Sequence, residues 1–157
     1  MNNNTDDALL PLSQIASCFE GLIPAEIATA AADGTPNVTH LSRVHMVDDE
    51  HVALSNQFFS KTVQNLAANP RACVCVIDPF TYDSYRLVLR YERTERRGPL
   101  FDRMRRDIDA IAALTGMEGV FKLRSADVYR VIELDLVRTA VHEQSDGDTV
   151  ATIEAVP

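Results

Sequence analysis

Between Ala25 and Asn56 the sequence AEIATAAADGTPNVTHLSRVHMVDDEHVALSN reads as three strand-like segments, separated only by Asp33-Gly34 and by Asp48-Asp49-Glu50. Glycine and aspartate are turn formers, so each junction is a reversal rather than a continuation. A parallel connection needs a crossover of about a dozen residues or more, which neither junction can supply. The first half of the chain is therefore restricted to an antiparallel meander.

The remainder extends that plan. Ser60 to Asn69 places Val63, Leu66 and Ala67 on one helical face, with Ser60 placed to cap and Pro70 to end the helix. Ala72 to Asp78 (ACVCVID) is a continuous β-favouring run, suited to a central strand. Tyr85 to Glu95 alternates, with Leu87, Leu89 and Tyr91 opposite Arg86, Val88 and Arg90. Pro99 to Leu114 predicts a helix whose buried stripe is Leu100, Met104, Ile108, Ile111 and Leu114, ended by Gly116. Val128 to Val137 predicts a last strand. Before the meander, Leu9 to Phe19 has helical spacing and is stopped by Gly21 and Pro24, which suggests a short capping helix. Six strands with single helices inserted make a mostly β, antiparallel barrel with peripheral helices. The expected organisation is a disordered tail over residues 1–8, one domain over 9–141 and a C-terminal arm or tail over 142–157.

Charge narrows the partners. Fifteen basic and 23 acidic side chains give a net charge of −8, which opposes attraction to nucleic-acid phosphates or anionic lipid. No apolar run approaches the roughly 20 residues of a membrane helix. The start MNNNTDD has no basic, apolar leader pattern, so a cytoplasmic location is expected. Eight of the basic residues fall between Arg86 and Arg106, where Glu92, Glu95 and Asp102 can pair with them. Cys18, Cys73 and Cys75 lack metal spacing and are read as small apolar residues, Cys73 and Cys75 in a core strand. His40 and His45, five apart on one strand, would face opposite sides, which argues against a shared metal site.

The start of the Ser60 helix carries the clearest chemistry. A helix N-terminus presents unpaired N–H groups and a positive dipole end, and Ser60, Lys61 and Thr62 add two hydroxyls and an ammonium there. Such a cluster suits a phosphate monoester.

The segment HVALSNQFFSKTVQNLAANPRACVCVID, preceded by DGTPNVTHLSRVHMVDD, resembles the flavin-binding split barrels related to pyridoxamine 5'-phosphate oxidase. In both, a strand ends in Ser/Thr-Asn, a short basic turn follows, then a helix closing in Asn-Pro, then another strand. The resemblance sharpens the fold class to a six-stranded antiparallel split β-barrel. It implies a homodimer that binds FMN in the groove between subunits. It assigns Leu54, Ser55 and Asn56 to the flavin and ribityl chain, and Ser60, Lys61 and Thr62 to the phosphate. Thr39, His40, Leu41, Ser42, Arg43 and Val44 would offer backbone and side-chain groups to ring and phosphate.

The chain also departs from the oxidase. Arginines of that enzyme correspond here to Thr39 and Ser60, with Arg43 the available substitute. The substrate-binding tail rich in Trp, Arg and His has no counterpart after Leu136, so oxidation of pyridoxine phosphates is not implied. The resemblance therefore points to an FMN-dependent oxidoreductase of unknown substrate and electron donor, with no catalytic acid or base assignable. The alternatives are a flavin- or haem-binding sensor without turnover, a deazaflavin-dependent reductase and a cofactor-free dimeric scaffold.

Overall fold

The computed structural model describes residues 10–58 and 60–137; the tail expected over 1–8 and the arm over 142–157 lie outside them. Seven strands are present among the described residues: β1 (Ala25–Ala30), β2 (Pro36–Leu41), β3 (Val44–Met46), β4 (His51–Asn56), β5 (Arg71–Ile77), β6 (Ser84–Glu95) and β7 (Ser125–Val137). They form one sheet in the order β2-β1-β5-β6-β7-β4-β3, and every neighbouring pair is antiparallel. A 3-10 helix (Leu12–Phe19) and two α-helices, α1 (Ser60–Ala68) and α2 (Pro99–Thr115), complete the fold.

The two edges of this sheet are consecutive in sequence. Seven flat strands would put the edges roughly 29 Å apart at about 4.8 Å per step. The links from Leu41 to Val44 span at most about 11 Å, so the sheet must curl into a half-barrel whose edges β2 and β3 are joined by Ser42 and Arg43. The stretch expected to be one strand is thus two, and the strand count rises from six to seven. The break has a visible cause. Arg43 turns out of the strand, donating from Nε to the Phe19 carbonyl at 2.9 Å and pairing with Asp107 at 3.3 Å.

Alternation sorts the strands into an inner and an outer face. Ile27, Leu41, Val44, Val52, Leu54, Val74, Leu87, Leu89 and Tyr129 belong to the inner cluster. On the outside, Met104 of α2 packs with Ala53, Ala126 and Val128; small alanines allow the helix close to the sheet. The buried row of α2 is Met104, Ile108 and Ala112, a strict four-residue repeat. Ile111 and Leu114, expected in the stripe, are instead exposed, Leu114 by 87%. Gly116 does end the helix, in the left-handed conformation.

Two further expectations change. Cys73 and Cys75 do share a face, but it is the outer one, half-buried and exposed respectively, because Ala72, Val74 and Val76 fill the interior. His40 and His45 both lie outside, since Leu41 and Val44 both turn inward and the break at Ser42-Arg43 resets the alternation. His40 is exposed near Glu26, whereas His45 is buried beside Asp107. The basic segment is partly paired as expected, Arg93 with Glu92 and Glu95, Arg105 with Asp102, and additionally Arg86 with Asp135. Among the described residues no helix is long and apolar enough to cross a membrane.

Candidate functional site

Helices close the two ends of the barrel. Leu12, Ile15, Cys18 and Phe19 of the 3-10 helix enter the core at one end, and Leu66 of α1 does so at the other. The α1 end is otherwise polar. Asn65 donates to Thr29 at 3.1 Å, and Asn37 lies 3.4 Å from Thr29 and 3.3 Å from Thr62 through its amide nitrogen. These bonds fix the helix against β1 and β2 and satisfy groups that burial would otherwise penalise.

That anchoring decides what the start of α1 shows to the outside. Ser60 and Lys61 are exposed, whereas Thr62 is 2% exposed and its hydroxyl accepts from Asn37. The first turn of α1 contains no acidic residue, in contrast to α2, which begins with Asp102. The Ser60 N–H donates to the Phe58 carbonyl at 2.9 Å, so the N–H groups that follow it, one hydroxyl and one ammonium meet at this end, a donor set that fits a phosphate monoester.

The strand edges beside it follow from the pairing. Strand β3 covers only Val52, Leu54 and the residue between them on β4, so Ser55 and Asn56 have no strand partner on that side. The outer edge of β2 is likewise unpaired. A split thus opens from Ser42 toward α1, walled by two edges whose backbone groups are free to bond a ligand.

Within the predicted set, Leu41, Val44 and Leu54 are core residues and offer only backbone. Ser55 is buried and Gln57 donates to it at 3.4 Å. Thr39 shares the inward face with Ile27, its register partner, and is half-buried, while His40 and Ser42 are exposed and Asn56 is half-buried. Arg43, expected as a substitute phosphate ligand, is held by Phe19 and Asp107 at the opposite end of β2 from α1. Lys61 is the cation that the described residues place on the first turn of α1.

One copy makes no enclosure of ligand size here. A cavity of about 60 Å³ lies between Ser42, Gln57, Ile108 and Phe121, and one of about 190 Å³ lies between Asn56, α1 and the paired ends of β6 and β7. Cofactor pockets run from roughly 300 Å³ upward. Apolar side chains stand exposed around the split, Val38 by 60%, Phe58 by 59% and Val63 by 45%, as expected of a surface that something covers.

The larger cavity was missed by the sequence reading. Thr94 and Ser125 donate to Asp127 at 2.8 and 3.0 Å, and Tyr91 lies 2.7 Å from Thr94. Because the Thr94 proton is spent on Asp127, Tyr91 must donate to Thr94. The available signal was the polar alternation Ser125, Asp127, Tyr129, in phase with the inward residues. The last strand had been started at Val128, which cut it off.

No curated protein matches the chain. Among solved structures, an FMN-binding protein from Syntrophomonas wolfei subsp. wolfei is 19% identical over 76% of this chain and 80% of its own, with a TM-score of 0.64. HutZ, the haem storage protein of Vibrio cholerae, is 17% identical over 82% and 95%, at 0.52. A pyridoxamine 5'-phosphate oxidase-related FMN-binding protein of Nostoc punctiforme is 14% identical over 82% and 85%, at 0.51. These likenesses are of fold. The sequence model for pyridoxamine 5'-phosphate oxidase matches residues 13–143, most of a chain of 157 residues, and the protein belongs to that family.

Proposed function

We propose that this chain binds FMN between two copies of itself and works as an FMN-dependent oxidoreductase. The observation that carries the reading is the acid-free start of α1, with Ser60 and Lys61 exposed, at the foot of a split between two unpaired strand edges. Ser60, Lys61 and the first N–H groups of α1 hold the phosphate. The free backbone edge of β2 from Thr39 to Ser42 offers donors to the ring, where N–H groups favour developing negative charge. Asn56 reaches the ribityl chain from the β4 side. A second copy covers Val38, Phe58 and Val63 and supplies the enclosure that a single chain lacks. The flavin, when bound, supplies hydride or electron transfer, and the chain supplies position and charge.

The test is identification by mass spectrometry of what the purified full-length chain carries, with FMN titrated into the cofactor-free protein. FMN binding by a dimer is expected, weakened about tenfold by Lys61→Ala, the scale of one charge-assisted hydrogen bond. Bleaching by a reduced nicotinamide or another two-electron donor, with recovery in air, would establish turnover. A monomer without affinity for FMN overturns the reading. A strong Soret band would move it to haem, which one structural relative is named for storing.

A further inference from the structure

Asp127 is an anomaly of burial. Its side chain is 4% exposed, yet its hydrogen-bond donors are two neutral hydroxyls, both on Oδ1. No cation lies within ion-pair distance of it among the described residues, and Oδ2 has no donor there. A buried carboxylate ordinarily has a charged partner, because leaving water is costly for an ion. The missing partner has a place to be, since Asp127 forms part of the wall of the cavity of about 190 Å³.

The remaining walls define what fits. Val63, Leu66 and Tyr91 give an apolar lining, and Arg96, just beyond the end of β6, lines the same cavity. Arg96 is exposed and forms no ion pair with a described residue. The volume is that of roughly six water molecules, enough for a short aliphatic molecule and too small for a nucleotide. Behind Asp127 on the same strand face, Tyr129 is fully buried, with its hydroxyl unpaired. This end of the barrel therefore holds more polar capacity than its own side chains satisfy.

We infer that this cavity is a binding site for a small amino-acid-like zwitterion, whose ammonium meets Asp127 and whose acid group meets Arg96 at the rim, the methylenes lying between Val63, Leu66 and Tyr91. The cavity does not include Ser60 or Lys61 but shares Asn56 and Val63 with the surfaces assigned above to the flavin and the second copy; Asp127 and Arg96 have no part in the flavin reading, so their variants test this site separately.

The experiment titrates ω-amino acids from glycine to 6-aminohexanoate into the full-length chain, with butylamine and butyrate as single-ended controls. The readouts are calorimetry and the amide shifts of Asn56, Ser125 and Asp127. At least one ω-amino acid is expected to bind at least about tenfold tighter than either control, and Asp127→Asn to cost about tenfold. Arg96→Gln, an exposed change that leaves the fold intact, is expected to cost about tenfold and so to abolish the advantage over butylamine. Absence of binding across the series overturns the proposal, as does binding that Asp127→Asn leaves unchanged. If Asp127→Asn fails to fold, Arg96→Gln decides, and an unaltered affinity overturns it.

Discussion

The two ends of the barrel are closed by helices of similar length and opposite chemistry. Leu12, Ile15 and Phe19 plug one end with hydrocarbon. At the other, Leu66 is surrounded by Thr29, Asn37, Thr62 and Asn65, with Asp127 and Tyr129 beyond. Apolar burial contributes stability roughly in proportion to area, whereas each buried polar group must recover its own desolvation before it contributes anything. A polar plug is thus the weaker solution to closing a barrel. It lies at the end that carries the exposed helix start and the cavity.

The comparison is broken most severely at the apolar end. Phe19→Ala is expected to cost about 3–5 kcal/mol in denaturant unfolding, as for other buried aromatics cut to alanine. A loss below about 1 kcal/mol would mean that the 3-10 helix is not part of the core. The next effect is pH-dependent. Burial, with help from the Arg43 charge and against the pull of Asp107, holds the His45 imidazole down at about 4, from an ordinary 6.5. Between those values the unfolded chain binds more protons than the folded one. Stability therefore falls as pH drops from about 6.5 toward 4, by up to about 3 kcal/mol. His45→Gln should flatten that slope, and an unchanged slope would place the acid sensitivity elsewhere.

Gly21 sharpens the contrast further. Its φ of +79° is one that other residues adopt at a cost, and an added Cβ would lie 3.0 Å from Arg43 Cδ. Gly21→Ala should cost about 1–2 kcal/mol in thermal or denaturant melts; a neutral result would show that Arg43 can shift freely. The smallest effect belongs to the polar end. Asp127→Asn should change unfolding free energy by less than about 1 kcal/mol, since it removes a buried charge and keeps the shape. A loss of several kcal/mol would make Asp127 a structural post and erase the distinction between the ends.

Much of this architecture was legible in the chain. The short junctions at Asp33-Gly34 and Asp48-Asp49-Glu50 required antiparallel pairing, and Pro70 and Gly116 marked where helices stop. The misread strand count and histidine faces share one origin, which is that alternation reports phase but not interruption. Nothing local in LSRVH announces that Arg43 leaves the strand, because its partners, the Phe19 carbonyl and Asp107, are 24 and 64 residues away. The same limit placed His40 and His45 on opposite faces. Cys73 and Cys75 could have pointed either way until Ala72, Val74 and Val76 claimed the inside. At the candidate site the place of Ser60 and Lys61 at a helix start was readable from the chain. The inward turn of Thr62 depended on Asn37, a contact that exists only once β2 lies beneath the helix.

The joint at Ser42-Arg43 has a mechanical consequence. No ladder hydrogen bond bridges the seam, so the barrel can be cut there without breaking a single strand pair. Residues on either side would form two fragments, each holding complete strands, that should reassemble through β1 against β5. The same absence leaves the gap between β2 and β4 unregulated by the sheet itself. At the closed end of that gap one guanidinium, Arg43, ties the joint to the Phe19 carbonyl and to Asp107.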